Sequence, residues 1–164
     1  MEFFDVVRRR KSIRKYSGKP ISKSLIEKIV AAGVQAPYGT GEAYPVRFVA
    51  VTKKETIKAV HGCLRAQDWH RFVLDAGAVI VVALRTDIPG GMADAHAACE
   101  NMLLAITALG LGACWIGAFN EQKVRKALKL SAKHKIIAVL SLGEPTEQPE
   151  VVERPPVVKV LSWR

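Results

Sequence analysis

Cysteine is scarce in this chain: Cys63, Cys99 and Cys114 are an odd number, widely spaced and without a Cys-x-x-Cys pair. That excludes a disulfide framework, argues against a structural zinc or iron–sulfur site, and points to a reducing compartment. Long apolar runs are missing as well. The most apolar stretch, Ala93 to Leu109, is interrupted by Asp94, His96, Glu100 and Asn101, too polar and slightly too short to span a bilayer. The opening residues turn basic without the apolar core of a secretory signal. A soluble, cytoplasmic protein with no membrane contact is expected. Phosphate-cradling glycine loops are lacking too. Gly39-Thr-Gly41 has no third glycine and precedes a strand, Gly110-Leu-Gly112 follows a helix, and no Walker loop is present, so neither a Rossmann nor a P-loop site is supported.

What the chain does have is apolar material and positive charge. Apolar residues make up 49% of its 164 positions, enough for a real core and far too many for disorder. Length and the absence of linkers or repeats predict a single domain over residues 1–164. The formal net charge is +10, and two segments own the excess. Residues 1–28 hold nine Lys/Arg and three Asp/Glu, and residues 123–135 hold six Lys/Arg and no acid. Such blocks suit nucleic-acid phosphates, an anionic membrane surface or a small phosphorylated ligand.

The pattern predicts an α+β fold. A short helix over 2–10 has Phe3, Phe4, Val6 and Val7 on an apolar side. A second helix starts at a Ser24-Leu-Ile-Glu27 capping box, buries Leu25, Ile26, Ile29, Val30 and Val34, and is stopped by Pro37. The segment Tyr38 to Gly41 reads as a loop. Pro45–Thr52 reads as a strand, and the apolar runs Ala78–Leu84 and Ile136–Leu142 as strands buried on both faces. Residues 54–75 are helical but irregular. The strongest helix, 93–109, is apolar on nearly every side and therefore central and buried. Asn120 caps a helix over Glu121–Leu130. The tail from Val151 to Trp163 is extended after Pro155-Pro156, and its valines need cover from a sheet edge or a second subunit.

Among candidate sites, Arg10, Lys11, Ser12 and Arg14 place charged donors and a hydroxyl within five residues. In an extended segment Arg10, Ser12 and Arg14 share one side, a cradle for phosphate. A basic run by itself reads first as a solvated helix end. His96 and Glu100 lie four apart on the central helix, but without further ligands they read as packing rather than metal ligands, so no metal is expected. Cys114 reads as a buried thiol, and the histidines have no nucleophile motif beside them.

Taken together, Arg10-Lys-Ser-Ile-Arg-Lys-Tyr16 with Lys19-Pro-Ile-Ser22, then Glu100 through Ala108-Leu-Gly-Leu-Gly-Ala-Cys-Trp-Ile-Gly117, then Leu140-Ser-Leu-Gly-Glu-Pro145, make the chain resemble the nitroreductase family of FMN enzymes from Phe3 to Trp163. The resemblance implies a nitroreductase-like fold, with a central, mostly antiparallel sheet flanked by helices, a buried central helix and an intertwined homodimer. It implies that Arg10, Lys11, Ser12 and Arg14 hold the FMN phosphate, with Arg154 returning to it. Pro37, Tyr38 and Gly39 would reach the flavin ring from the partner subunit, while Trp115, Ile116 and Gly117 lie along it. The flavin itself would carry a hydride at N5 from NADH or NADPH to a nitroaromatic, a quinone or another electron-poor small molecule. The main-chain N–H of Gly117 would be the candidate donor to N5, and no side chain would need to act covalently.

The chain departs from the family at Ala36–Val46, where the usual Ser, Asn, Gln and Trp are absent and one residue is extra. Tyr38 and Tyr44 there suit either stacking on the flavin or loop packing. Two alternatives accompany the main reading. One is a flavin protein of this fold with a different oxidation or no reductase activity. The other is a nucleic-acid-binding module, against which the basic residues lack interleaved aromatics and any recognised motif.

Overall fold

A computed structural model describes residues 1–39, 43–150 and 152–164. Thr40 and Gly41 of the expected loop, and Val151 at the start of the expected tail, lie outside them. In chain order the helices are α1 (Phe3–Arg9), α2 (Lys23–Val34), α3 (Lys54–His61), α4 (Met92–Ala108) and α5 (Glu121–Ala127). The strands are β1 (Val46–Val51), β2 (Ala78–Arg85), β3 (Gly112–Ile116) and β4 (His134–Gly143). They form one antiparallel sheet in the order β1-β2-β4-β3.

The two apolar runs read as doubly buried strands are β2 and β4, the middle pair. Alternate residues face opposite sides of the sheet. Ala78, Ile80 and Val82, with Ala138, Leu140 and Leu142, pack under α2 and α4. Val79, Val81 and Val139 pack on the other side with Ile57 of α3, Val73 and Val124 of α5. Both faces are covered by helices, so both sets are apolar and the period-2 signal vanishes.

Helix ends follow local chemistry, with one correction. α2 is capped by Ser22, whose hydroxyl accepts from the Leu25 N–H at 3.3 Å, and not by Ser24. Ile21, just outside the cap, and Ile26, four positions inside it, bury in the same core cluster, and this apolar staple fixes the start two residues early. Glu27 pairs with Lys23 instead of closing a box. On the expected buried face Ile26 and Ile29 are buried, Leu25 and Val30 half-buried, and Val34 exposed. α4 ends as its glycine requires: Gly110 sits at φ +75°, and the Leu111 N–H reaches the Ile106 carbonyl. Asn120 accepts from the Lys123 N–H to cap α5. That helix stops at Ala127, short of the expected Leu130, because Lys129 turns left-handed at φ 52° in the same kind of hydrogen-bonded stop.

Three further differences matter for the site. Residues 112–116, for which no strand is predicted, form the edge strand β3. Of the apolar side expected on α1, only Val6 is buried, while Phe3 and Phe4 are 63% and 75% exposed. Among its described residues the tail holds one turn of 3₁₀ helix, Val157–Lys159, and no strand; Val158 and Trp163 are 82% and 88% exposed. α4 buries Ala95, Cys99, Met102 and Ile106 toward the sheet, while His96, Glu100 and Ala108, off that buried face, are exposed. Among the described residues no helix is long and apolar enough to cross a membrane.

Candidate functional site

Where α1 ends, the backbone turns extended at Arg10 and runs along the outer edge of β3. Ser12 bridges Ala113 in parallel, and the Ile13 N–H donates to the Ala113 carbonyl at 2.8 Å. Gly112 permits this approach, since a Cβ there would lie 2.6 Å from Ile13 Cγ1. From the other side the chain after β4 returns beside the same segment. The Ser17 N–H donates to the Glu144 carbonyl at 3.0 Å and the Thr146 N–H to the Lys15 carbonyl at 3.1 Å. Tyr16 anchors it inward. Its buried hydroxyl lies 2.7 Å from the Ile13 carbonyl and 2.9 Å from the Ser141 hydroxyl, and burial pushes its phenol well above the ordinary tyrosine value.

This threading gathers Arg10, Lys11, Ser12 and Arg14 on one cleft of about 960 Å³, with Arg154 and the main chain near Pro149 opposite. Lys11 Nζ donates to the Pro149 carbonyl at 2.8 Å, and the Arg14 N–H donates to Glu147 Oε1 at 2.6 Å. Five cationic side chains line the cleft, Arg8 included, against the carboxylates of Glu100, Glu150 and Glu153. The excess is positive, and with a hydroxyl and guanidinium forks among the donors the set suits a phosphate monoester. Arg8, Glu100, Glu150 and Glu153 were not anticipated as lining residues. Glu100 had one signal in the sequence, a carboxylate in the middle of a largely apolar helix, weighed as half of a metal pair. Among the described residues no three His, Cys, Asp or Glu side chains gather to hold a metal.

The remaining expected residues lie outside this cleft. Trp115 is half-buried on the α4 side of β3, its ring centroid 5.6 Å from that of His96. Ile116 points to the opposite core at 2% exposure, so its side chain is turned away from the α4 side of β3. At Gly117, just past β3, an added Cβ would meet nothing within 4 Å. Pro37, Tyr38 and Gly39 follow α2. The Tyr38 ring packs edge-on against Tyr44 at 5.2 Å, and the Tyr44 hydroxyl donates to the Gly33 carbonyl at 3.2 Å. Loop packing thus describes Tyr44. Burial raises the thiol of Cys114 despite the opposing pull of Arg14, and pushes Cys99 up to about 12, so both remain protonated at neutral pH.

Residues 7–144 match the model of the nitroreductase family. A provisionally named NADH dehydrogenase/NAD(P)H nitroreductase of Archaeoglobus fulgidus is 34% identical over 161 residues, covering 93% of this chain and 90% of its own. A Cr(VI) reductase of Pseudomonas sp. strain G-1 is 28% identical, with 96% of this chain and 72% of that protein covered. Among solved structures, a provisionally assigned nitroreductase from Desulfovibrio desulfuricans in complex with FMN superposes with a TM-score of 0.89 at 27% identity, over 100% of this chain and 97% of that one.

Proposed function

The chain belongs to the nitroreductase family, and from that premise we propose that it is an FMN-dependent NAD(P)H oxidoreductase that reduces a nitroaromatic, a quinone or a similar electron-poor small molecule. The observation that carries this reading is the cleft in which Arg10, Lys11, Ser12 and Arg14 meet Arg154 from the far end of the chain. The donor set fits a phosphate-bearing cofactor. When bound, FMN supplies the redox chemistry, accepting a hydride from NADH or NADPH and passing it to the acceptor.

The chain's own groups bind and orient. Arg10, Arg14 and Arg154 neutralise the phosphate, Ser12 adds a hydroxyl donor, and Lys11 adds charge while tying the segment to Pro149. The unobstructed Gly117 offers its main-chain N–H to the flavin, and Trp115 and the Ile116 main chain flank the ring. Residues 1–164 form one FMN-binding domain in this reading. Pro37, Tyr38 and Gly39 serve the site of a second copy, since in their own chain they stand outside the cleft. A homodimer is further supported by the exposed Phe3, Phe4, Val158 and Trp163, which cover nothing in a single chain. Three free cysteines suit a cytoplasmic location.

The purified protein should be yellow, with a flavin spectrum bleached anaerobically by NADH or NADPH. A colourless protein that FMN does not reconstitute would overturn the reading. Replacing Arg14 by Ala should weaken FMN binding by about 1.5 to 3 kcal/mol, the scale of a charged hydrogen bond, as read by flavin fluorescence titration. Unchanged affinity removes Arg14 from the site. Light scattering that finds a monomer still binding FMN would remove residues 37–39 from it.

A further inference from the structure

Off its sheet-facing side, α4 exposes two titratable side chains, His96 and Glu100. Four residues apart, they share one face, about 6 Å apart along the helix axis. Glu100 marks one end of this pair: it lines the cationic cleft, with Oε1 3.7 Å from Arg10 Nε. His96 marks the other, with its ring against Trp115. A ligand reaching from the cleft to Trp115 therefore crosses both side chains.

A carboxylate inside a phosphate cleft repels the phosphate, and its ion pair with Arg10 is long and half-exposed, worth little by itself. Its placement makes sense if it accepts from donors other than Arg10. Between a phosphate and an aromatic ring system, the donors available in a flavin nucleotide are the hydroxyls of the linking polyol. Carboxylates bind vicinal hydroxyls well, as the acidic residue that holds a nucleotide ribose does, and an imidazole offers one donor and one acceptor.

We propose that Glu100 and His96 are the partners of the ribityl chain of FMN, with the Glu100 carboxylate accepting from its hydroxyls on the phosphate side and the His96 imidazole bonding to it on the ring side. This rests on the reading of the cleft as the phosphate site and of Trp115 as a wall of the ring site.

Three flavins separate the parts: FMN, riboflavin, which lacks the phosphate, and lumiflavin, which lacks the polyol as well. Dissociation constants from flavin fluorescence titration are compared for the full-length protein and its variants, with circular dichroism confirming the fold. Glu100→Ala and His96→Ala should each weaken riboflavin about tenfold, the size of one hydrogen bond to a charged or buried partner, and leave lumiflavin unchanged. Riboflavin decides for Glu100, because with FMN the lost bond is offset by relief of repulsion from the phosphate. Glu100→Gln keeps an acceptor and should restore most of the riboflavin affinity. Riboflavin affinity unchanged in Glu100→Ala and His96→Ala, or lumiflavin weakened as much as riboflavin, overturns the assignment. A wild-type protein that binds none of the three overturns the cofactor reading itself, and FMN affinity unaffected by Arg14→Ala overturns only the phosphate site.

Discussion

The middle of the sheet and the rim of the molecule are built from the same residue types and end in opposite states. In β2 and β4 every core residue from Ala78 to Ala83 and from Ala138 to Leu140 is sealed at 0% exposure. At the rim, Phe4, Val158 and Trp163 are 75%, 82% and 88% exposed. Hydrophobicity alone therefore does not say where a residue goes. A segment is buried here when the chain supplies a layer on each side of it; α1 packs on α4 through one side only, so Val6 is buried while Phe3 and Phe4 stay exposed.

The sharpest way to break this comparison is to hollow out the sealed region. Ile80→Ala should cost about 2–5 kcal/mol in urea denaturation, and a loss under about 1 kcal/mol would mean that the sheet interior is less tightly packed than described. Next is the seam between the two regions. Gly112→Ala puts a methyl into Ile13 and should cost about 1–3 kcal/mol through displacement of residues 10–14, with weaker FMN binding alongside; intact FMN affinity would separate the seam from the site.

A smaller effect is expected at high pH. The folded phenol of Tyr16 is raised above its unfolded value, so its contribution is complete below about pH 10 and is lost as pH rises further, by up to about 1.4 kcal/mol per pH unit. Tyr16→Phe should remove that added slope from the alkaline stability profile, and a profile identical to wild type would absolve the residue. The smallest effect belongs to the rim. Trp163→Ala should change the unfolding free energy of dilute monomer by no more than about 0.5 kcal/mol while weakening self-association in sedimentation equilibrium, and the reverse pattern would show that the tail serves its own chain.

The sequence exposed the covered regions best. Runs such as Ala78–Leu84 and the Leu109–Gly110 stop of α4 are dictated locally, by apolar content and by a φ that only glycine takes easily. β3 is not legible in the sequence because its identity comes from pairing with β4 and from Ile13 pressing on Gly112, neither of which is a local property. Likewise Ser22 outranked Ser24 as a cap because of where Ile21 is buried. The cationic half of the cleft was legible as a motif. Its acidic members, Glu100, Glu150 and Glu153, were not, since their approach to Arg10 and Arg14 depends on how α4 and the segment after β4 fall in space.

The segment from Arg10 to Ser17 is held on one side by Ala113 and on the other by Glu144 and Thr146. On the ribosome, then, this segment is made well before the partners that fix it. One hundred positions separate Ile13 from its neighbour Ala113 on β3, and the residues around Glu144 emerge later still. At about 5–20 residues per second the cationic stretch stays untethered for several seconds or more, open to other polyanions in the cell until the far end of the chain arrives. The walls of the cationic cleft therefore meet only after the residues near 113 and 146 have been made, so the cleft is a late product of synthesis although its charges come early.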